Sequence, residues 1–405
     1  MNYAKAISRI KTIGFVCLLL ILSAWDMRAQ SNDSIVVSPD SSNFVTASLL
    51  IISPTNEIYS VFGHAAFRME CPVHKLDYVF TFESDPGVSG FLTFFAGKAK
   101  GYFVAVPTLE FIGNIKSEGR GIKQYELNLT LHEEQELWRN LDNDMVAGPH
   151  RQFDLQNHCA STTLELIRQS CIDEYLDWGP QVGELNMNNG DLLRYYVKNS
   201  EWAEFLFISF VGTHYEEFVD QDVRVCPQNL MAELSRASFV SLSDGTRRPV
   251  LTGNTKELLP DNNKNKAYVI TPIALFTILL LLTCLITLCE WIWHWKRVAR
   301  WFDATLLILQ TLLGIVLIII AFDSNVFGHS WNWYLIPFNP LPLLVWICFH
   351  KKKNFGRVYI IYSVVLIAFI ALTPFLSQLD VPHQLIVASL AIRCFSNYFE
   401  YKSLN

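Results

Sequence analysis

Charge is the scarcest ingredient of this sequence: Asp, Glu, Lys and Arg make up 17% of it, against 51% hydrophobic residues. That apolar share is high for a soluble chain and normal for one partly in lipid. The net charge is −6 and no basic patch stands outside a few short loops, which excludes a nucleic-acid partner. Metal-binding spacings are missing too. Residues 30–265 contain no Cys-x-x-Cys and no His-x-x-x-His, so neither a metal nor a cofactor is expected there.

The apolar residues are gathered into runs. Lys5, Arg9 and Lys11 precede a stretch from Ile13 to Trp25, and Ala29 offers a small residue before Gln30. Residues 1–29 therefore read as a secretory signal peptide, with an uncleaved anchor as the alternative; both export the chain beyond Gln30. Four more runs, near 268–290, 304–322, 333–349 and 358–376, reach or approach the ~20 helical residues that cross a hydrocarbon core. A fifth, 382–399, is weaker because Arg393 interrupts it; its guanidinium can snorkel to the membrane surface if that end lies near the interface. Pro337, Pro340 and Pro342 are expected to break the helix of the third run.

Loop charges set the orientation. Lys296, Arg297 and Arg300 follow the first run, and Lys351, Lys352, Lys353 and Arg357 follow the third. The loops after the second and fourth runs contain neither Lys nor Arg. By the positive-inside rule the basic loops are cytoplasmic, so the N-terminal domain and the uncharged loops share the outer side. Trp291, Trp293, Trp295, Trp301, Trp331 and Trp333 near the run ends suit an interfacial aromatic belt. The expected organisation is an exported domain over residues 30–265, then a helical transmembrane bundle of about five spans over 266–405.

The exported part reads as α+β. "ASLLII", "HAAFRME", "DYVFTFE", "YFVAVP" and "IKQYELNL" have the alternation of strands in an antiparallel sheet. "TLHE" at 130–133 is a capping box that starts a helix, and Gly148-Pro149 ends it. A further helix begins near Cys159.

Four cysteines lie in the exported part: Cys71, Cys159, Cys171 and Cys226. An oxidising compartment favours disulfides, and any pair among Cys71, Cys171 and Cys226 leaves Cys159 out. Cys159 precedes Ala160, Ser161, Thr162 and Thr163, then Leu164, Ile167 and Cys171 at helical spacing. In the first turn of a helix, unpaired backbone N–H groups and the dipole favour a thiolate; a small packing residue is the alternative. A thiol nucleophile also needs a base. His64 in "EIYSVFGHAAFRME" follows Gly63 and opens a strand with small neighbours, although a core histidine holding a turn would look the same. His158 adjoins Cys159, but consecutive side chains diverge at a helix start, so it is the poorer base.

"NEIYSVFGHAAFRM" together with "DLQNHCASTTLEL" resembles the exported domain of the bacteroidal lipoprotein N-acyltransferase (Lnb) family, with support from "DYVFTFE", "FFAGKAKGYFVAVP" and "IKQYELNLT". The resemblance implies a circularly permuted papain-like domain of the NlpC type, followed by transmembrane helices. It implies Cys159 as nucleophile and His64 as base. Asn157 matches the polar position before the cysteine, while His158 replaces the family's second Asn and receives no role. Tyr102 and Tyr59 match positions in or near the motifs, Asp77 and Glu83 are candidate orienters of His64, and His329 in an outer loop is a candidate to complete the site.

The implied reaction moves an acyl chain from a phospholipid, through a Cys159 thioester, to the α-amino group of a diacylglyceryl-cysteine lipoprotein. The implied partners are thus a phospholipid donor, a diacylated lipoprotein acceptor and the membrane itself. The implied location is the bacterial inner membrane, with the catalytic domain in the periplasm. Two rivals stand: an NlpC-like cell-wall peptidase or amidase using the same pair, and a non-catalytic membrane binding module.

Overall fold

The computed structural model describes residues 45–84, 93–155, 157–179, 189–212, 227–263, 268–323, 331–349, 356–375 and 380–404. The signal segment, His214, Cys226 and His329 lie outside the described residues.

Among the described residues, ten strands form two antiparallel sheets. They are β1 (Thr46–Ile52), β2 (His64–Cys71), β3 (Leu76–Ser84), β4 (Ala99–Pro107), β5 (Ile122–Leu127), β6 (Arg151–Phe153), β7 (Glu174–Asp177), β8 (Ser238–Ser241), β9 (Arg247–Pro249) and β10 (Leu251–Leu259). The larger sheet runs β10-β5-β1-β2-β3-β4-β6 and the smaller runs β7-β8-β9. The described residues of this part include the helices α1 (Thr108–Ser117), α2 (Leu131–Ala147), α3 (Cys159–Ser170), α4 (Asn189–Val197), α5 (Glu201–Phe210) and α6 (Pro227–Leu234).

The period of two in the central strands produces two apolar layers. Leu49 and Ile51 on β1 and Ala65, Phe67 and Met69 on β2 pack with Leu137 and Leu141 of α2 and Leu164 and Ile167 of α3. The intervening residues Leu50, Ile52, Ala66 and Val79 face Phe111 and Ile115 of α1. Each such large side chain removed from water contributes about 1.5–3 kcal/mol. The capping box of α2 is present, with Thr130 accepting from Glu133 N and the Glu133 carboxylate accepting from Thr130 N. The helix stops at Ala147, before Gly148 at φ 68°.

Among the described residues, five helices follow: α7 (Pro272–Trp293), α8 (Lys296–Asp323), α9 (Leu341–Phe349), α10 (Gly356–Leu372) and α11 (Val381–Leu404). Among the described residues, α7 and α8 are long and apolar enough to cross a membrane alone, and α10 is a shorter apolar helix. The third run is not one helix. A 3-10 turn at Trp333–Leu335 leads into irregular chain before α9 starts at Leu341. Pro337 and Pro340 have no N–H to give a helix and clash with the preceding turn. The carbonyl of Pro337, which a helix would have used, accepts from Gln310 Nε2 at 2.8 Å and from the Tyr362 hydroxyl at 2.8 Å.

Arg393 corrects the snorkelling expectation. Its side chain is 3% exposed and is held between α7, α8 and α11. It donates to both oxygens of Asp303 at 2.6 and 2.9 Å, to Glu290 at 2.9 Å and to Thr287 at 2.9 Å. Two carboxylates close at hand make burial cheaper than reaching for water.

The two halves share one core. Val61 and Phe62 before β2, Phe95 before β4, and Leu155 before α3 pack in a single cluster with Phe207 of α5, Leu317 and Ile320 of α8, and Tyr334 and Phe338. Polar contacts secure the same junction. His383 Nε2 lies 2.8 Å from Ser209 Oγ, its Nδ1 meets Asp380, and its ring stacks on Tyr334 with centroids 3.9 Å apart.

Candidate active site

His64 is the first residue of β2, directly after Gly63 at φ 76°. Its Nε2 lies 2.7 Å from Thr81 Oγ1, and that hydroxyl donates to Glu83 at 2.9 Å. A hydroxyl has one proton; since Thr81 gives it to Glu83, it can only accept from the ring. The Nε2 therefore carries the imidazole proton and Nδ1 keeps the lone pair. Burial, reinforced by the positive Arg120, pushes the pKa of His64 down to about 3, so the ring is neutral at ordinary pH. Glu83 is pushed up, chiefly by burial. Carboxylate, hydroxyl and neutral imidazole thus form one hydrogen-bonded chain that fixes the ring's tautomer.

Cys159 opens α3 and packs, half-buried, against the core beneath the larger sheet. His158 is the N-cap. Its Nδ1 accepts from Ala160 N at 3.3 Å, and its N–H meets Ser161 Oγ at 2.9 Å. Since Nδ1 accepts, the proton sits on Nε2, which is buried without a partner. Burial pushes this imidazole down to about 4, and nearby Asp154 opposes the shift. The histidine at the position of the expected asparagine therefore caps α3 through its ring nitrogen.

The register brings the two motifs to one end of the sheet. Ala66 pairs with Thr81, so His64 stands across from Glu83, which pairs with Tyr102. Gly101 pairs with Ser84 on one side and Arg151 on the other, and Ala99 pairs with Phe153, six residues before Cys159. Alternation, however, directs the His64 ring to the layer of Ala66 and α1, whereas α3 lies on the layer of Ala65 and Phe67. The imidazole and the start of α3 share a rim, approached from its two sides, and the bond that His64 Nε2 makes is to Thr81.

The supporting residues divide. Glu83 joins the His64 chain, and Tyr102 faces Glu83 across the strand pair. Asp77 does not orient His64: it accepts from Arg68 at 2.8 and 2.7 Å and from Thr108 at 2.5 Å, at the opposite end of β3. Its pairing with Glu70 in the register fixes that distance from the motif. Tyr59 is 79% exposed. Asn157 turns toward the buried Asp154, bonding its carboxylate through backbone N–H at 2.8 Å and side chain at 3.0 Å, and so shapes the turn into α3. Thr81 and Arg120 were invisible in the sequence, because only the strand register and the loop after α1 bring them to His64.

No disulfide links cysteines among the described residues. Cys71 and Cys171 are buried separately, and burial beside Glu133 pushes the Cys171 thiol up. Glu133, Cys171 and Glu174 come within 4.8 Å of one another, the one such trio among the described residues. Arg248 lies 2.5 Å from Glu133 and 2.6 Å from Glu174, supplying there the charge a metal ion would bring.

A family model described as the Lnb N-terminal periplasmic domain matches residues 39–180, and one described as the Lnb transmembrane domain matches residues 263–404. The chain belongs to the Lnb family. It is accordingly a multi-pass membrane protein of an acyltransferase family, with the α+β domain in the periplasm and a helical C-terminal part. Lnb membership also ties it to lipoprotein maturation and to lipids of the membrane. No curated protein and no solved structure matches the chain.

Proposed function

We propose that the protein N-acylates lipoproteins through a thioester on Cys159. In this reading the periplasmic domain is a permuted papain-like fold of the NlpC type, and the C-terminal helices form five spans in the inner membrane. His64 and Cys159 meet, in this reading, across the rim that both motifs reach, and His64 Nδ1 takes the proton from the thiol as the sulfur attacks an ester carbonyl of a phospholipid. The tetrahedral oxyanion collapses, the lysophospholipid oxygen leaves with the proton, and the acyl group stays on sulfur. The α-amino group of a diacylglyceryl-cysteine then attacks the thioester, an amide forms, and the thiol is restored with the return of its proton.

The observation that carries this reading is the shared core at the sheet end where His64 and Cys159 stand. Val61, Phe62 and Leu155, each a few residues from one motif, pack in the same cluster as α8 residues Leu317 and Ile320. A thioester must meet an amine before water does, and a rim set against membrane helices concentrates both lipid substrates while limiting water. A soluble hydrolase has no use for that placement. The chain from Glu83 through Thr81 supports His64 as base, since it holds the tautomer with Nδ1 unprotonated.

The test is to express wild type and Cys159→Ser in a host without lipoprotein N-acylation and weigh the lipopeptide of a reporter lipoprotein. One added acyl mass that is lost in Cys159→Ser supports the reading. Unchanged lipopeptides with cleaved cell-wall peptides would replace it by the hydrolase, and a fully active Cys159→Ser would remove the thiol from any mechanism.

A further inference from the structure

A cavity of about 1170 Å³ lies among the membrane helices, away from the His64 end of the sheet. Its walls are apolar: Leu307 and Ile308 of α8, Val345 and Trp346 of α9, and Ile361 and Val365 of α10. Gln310 and Asn339 close its deep end, and those same side chains secure the irregular chain before α9. Its other end is charged. Lys296 and Arg300 of the first turns of α8, together with Asp303, Arg393 and Glu400, line it there.

The partners at the charged end leave one cation over. Lys296 pairs with Glu400 at 3.3 Å, and Arg393 takes up Asp303 and Glu290. Arg300 is exposed, and its one bond is from Nε to the Lys296 carbonyl at 3.1 Å; no carboxylate pairs with it among the described residues. The periplasmic domain joins α8 near Leu317 and Ile320, so the Lys296 end of this helix is the opposite, cytoplasmic one. From residue 296 to 310 an α-helix rises about 21 Å at 1.5 Å per residue, comparable to one leaflet of a ~40 Å bilayer.

We propose that this cavity binds one anionic diacyl phospholipid of the cytoplasmic leaflet, its phosphate on Arg300 and its chains along α8, α9 and α10. Basic pockets between membrane helices on the cytoplasmic side suit anionic headgroups. The volume exceeds the ~300–1,000 Å³ of ordinary ligand pockets, as two acyl chains require. The depth from Lys296 to Gln310 matches one leaflet, which a donor bound at the outer face would not need. The site is thus separate from the acyl-transfer rim and stands whether or not that reaction is correct.

Native mass spectrometry of the full chain in a neutral detergent tests the proposal. The probes are phosphatidylglycerol, phosphatidylethanolamine and phosphatidylcholine of matched chains. Wild type should retain one phosphatidylglycerol in preference to the zwitterionic lipids. Arg300→Ala should weaken that retention by at least about fivefold, the effect of one basic residue at an anionic lipid, and Arg300→Glu by more. Arg297→Glu makes the same charge change outside the cavity and should leave retention unchanged. Equal retention of the three lipids, several lipids bound without preference, or undiminished binding by Arg300→Glu would each overturn the site. Arg300→Gln, which keeps part of the stem and a polar end but removes the charge, gives the same reading if Arg300→Glu fails to fold.

Discussion

Replacing Arg393 by Met would expose how the membrane helices are held together. The guanidinium makes four hydrogen bonds, at 2.6, 2.9, 2.9 and 2.9 Å, to Asp303, Glu290 and Thr287, and it is 3% exposed. Met fills nearly the same space, so the change is one of charge rather than of packing. It leaves two carboxylates in a site from which water is largely excluded, with Glu290 only 4% exposed. Breaking a buried pair by removing one partner costs about 3–5 kcal/mol, because the remaining charge is uncompensated. For a unit of this size that is a fall of roughly 10 °C in unfolding temperature.

The assay is thermal unfolding of the purified full chain in one detergent, followed by loss of helical circular dichroism. The decisive comparison is the triple variant Glu290→Gln, Asp303→Asn, Arg393→Met. With all three charges gone it should recover most of the lost stability, since replacing a whole buried cluster is often neutral. If Arg393→Met unfolds within a degree or two of wild type, the cluster is hydrated and the buried-charge argument fails. A triple variant no better than Arg393→Met would show that packing, not charge, was lost.

The geometry sets three other outcomes. Thr81→Val keeps the shape but removes the hydroxyl between His64 and Glu83; acylation of Cys159 should slow by roughly 10²-fold with an altered pH profile, and Thr81→Ser should restore both. Acid should destabilise the chain early: unfolded imidazoles take a proton near 6.5, whereas His64 and His158 hold out to about 3 and about 4, so the unfolded state binds more protons in between. Stability is then full above pH 6.5 and declines as pH falls toward 4, by at most about 1.4 kcal/mol per unit for each ring, a slope that His64→Asn, His158→Asn should flatten in urea titrations. Gly314→Val should lower thermal stability by about 1–3 kcal/mol, since an added Cβ would stand 2.7 Å from Asn339 Cα and 2.8 Å from Phe338 O, both backbone atoms that cannot turn aside; an unchanged unfolding temperature would mean that the chain before α9 gives way.

Local pattern was enough for much of the architecture. The alternation in "HAAFRME" and "DYVFTFE", the capping box at Thr130 and the stop at Gly148 are short-range features, and β2, β3 and α2 obey them closely. The prolines that break the third apolar run act on their own backbone and could be read the same way. The strand β10 and the small β7-β8-β9 sheet could not, because their pairings join residues far apart in the chain.

The same division runs through the site. His64 and Cys159 were legible as residue types in suggestive settings, since a glycine before a strand and small residues at a helix start are written locally. Which carboxylate serves His64 was not: Asp77 and Glu83 share one strand, and only the β2–β3 register and the rival claim of Arg68 assign Glu83 to the histidine and Asp77 to the arginine. The fate of Arg393 was undecided for a similar reason, because a lone charge in an apolar run is costly or harmless according to partners on other helices. Sequence by itself determined the central strands, the capped helix, the apolar runs and the side of the membrane on which the domain stands, since hydropathy and loop charge act locally. Tertiary structure alone decided which polar groups meet, because those contacts bridge distant segments whose energies depend on water being shut out.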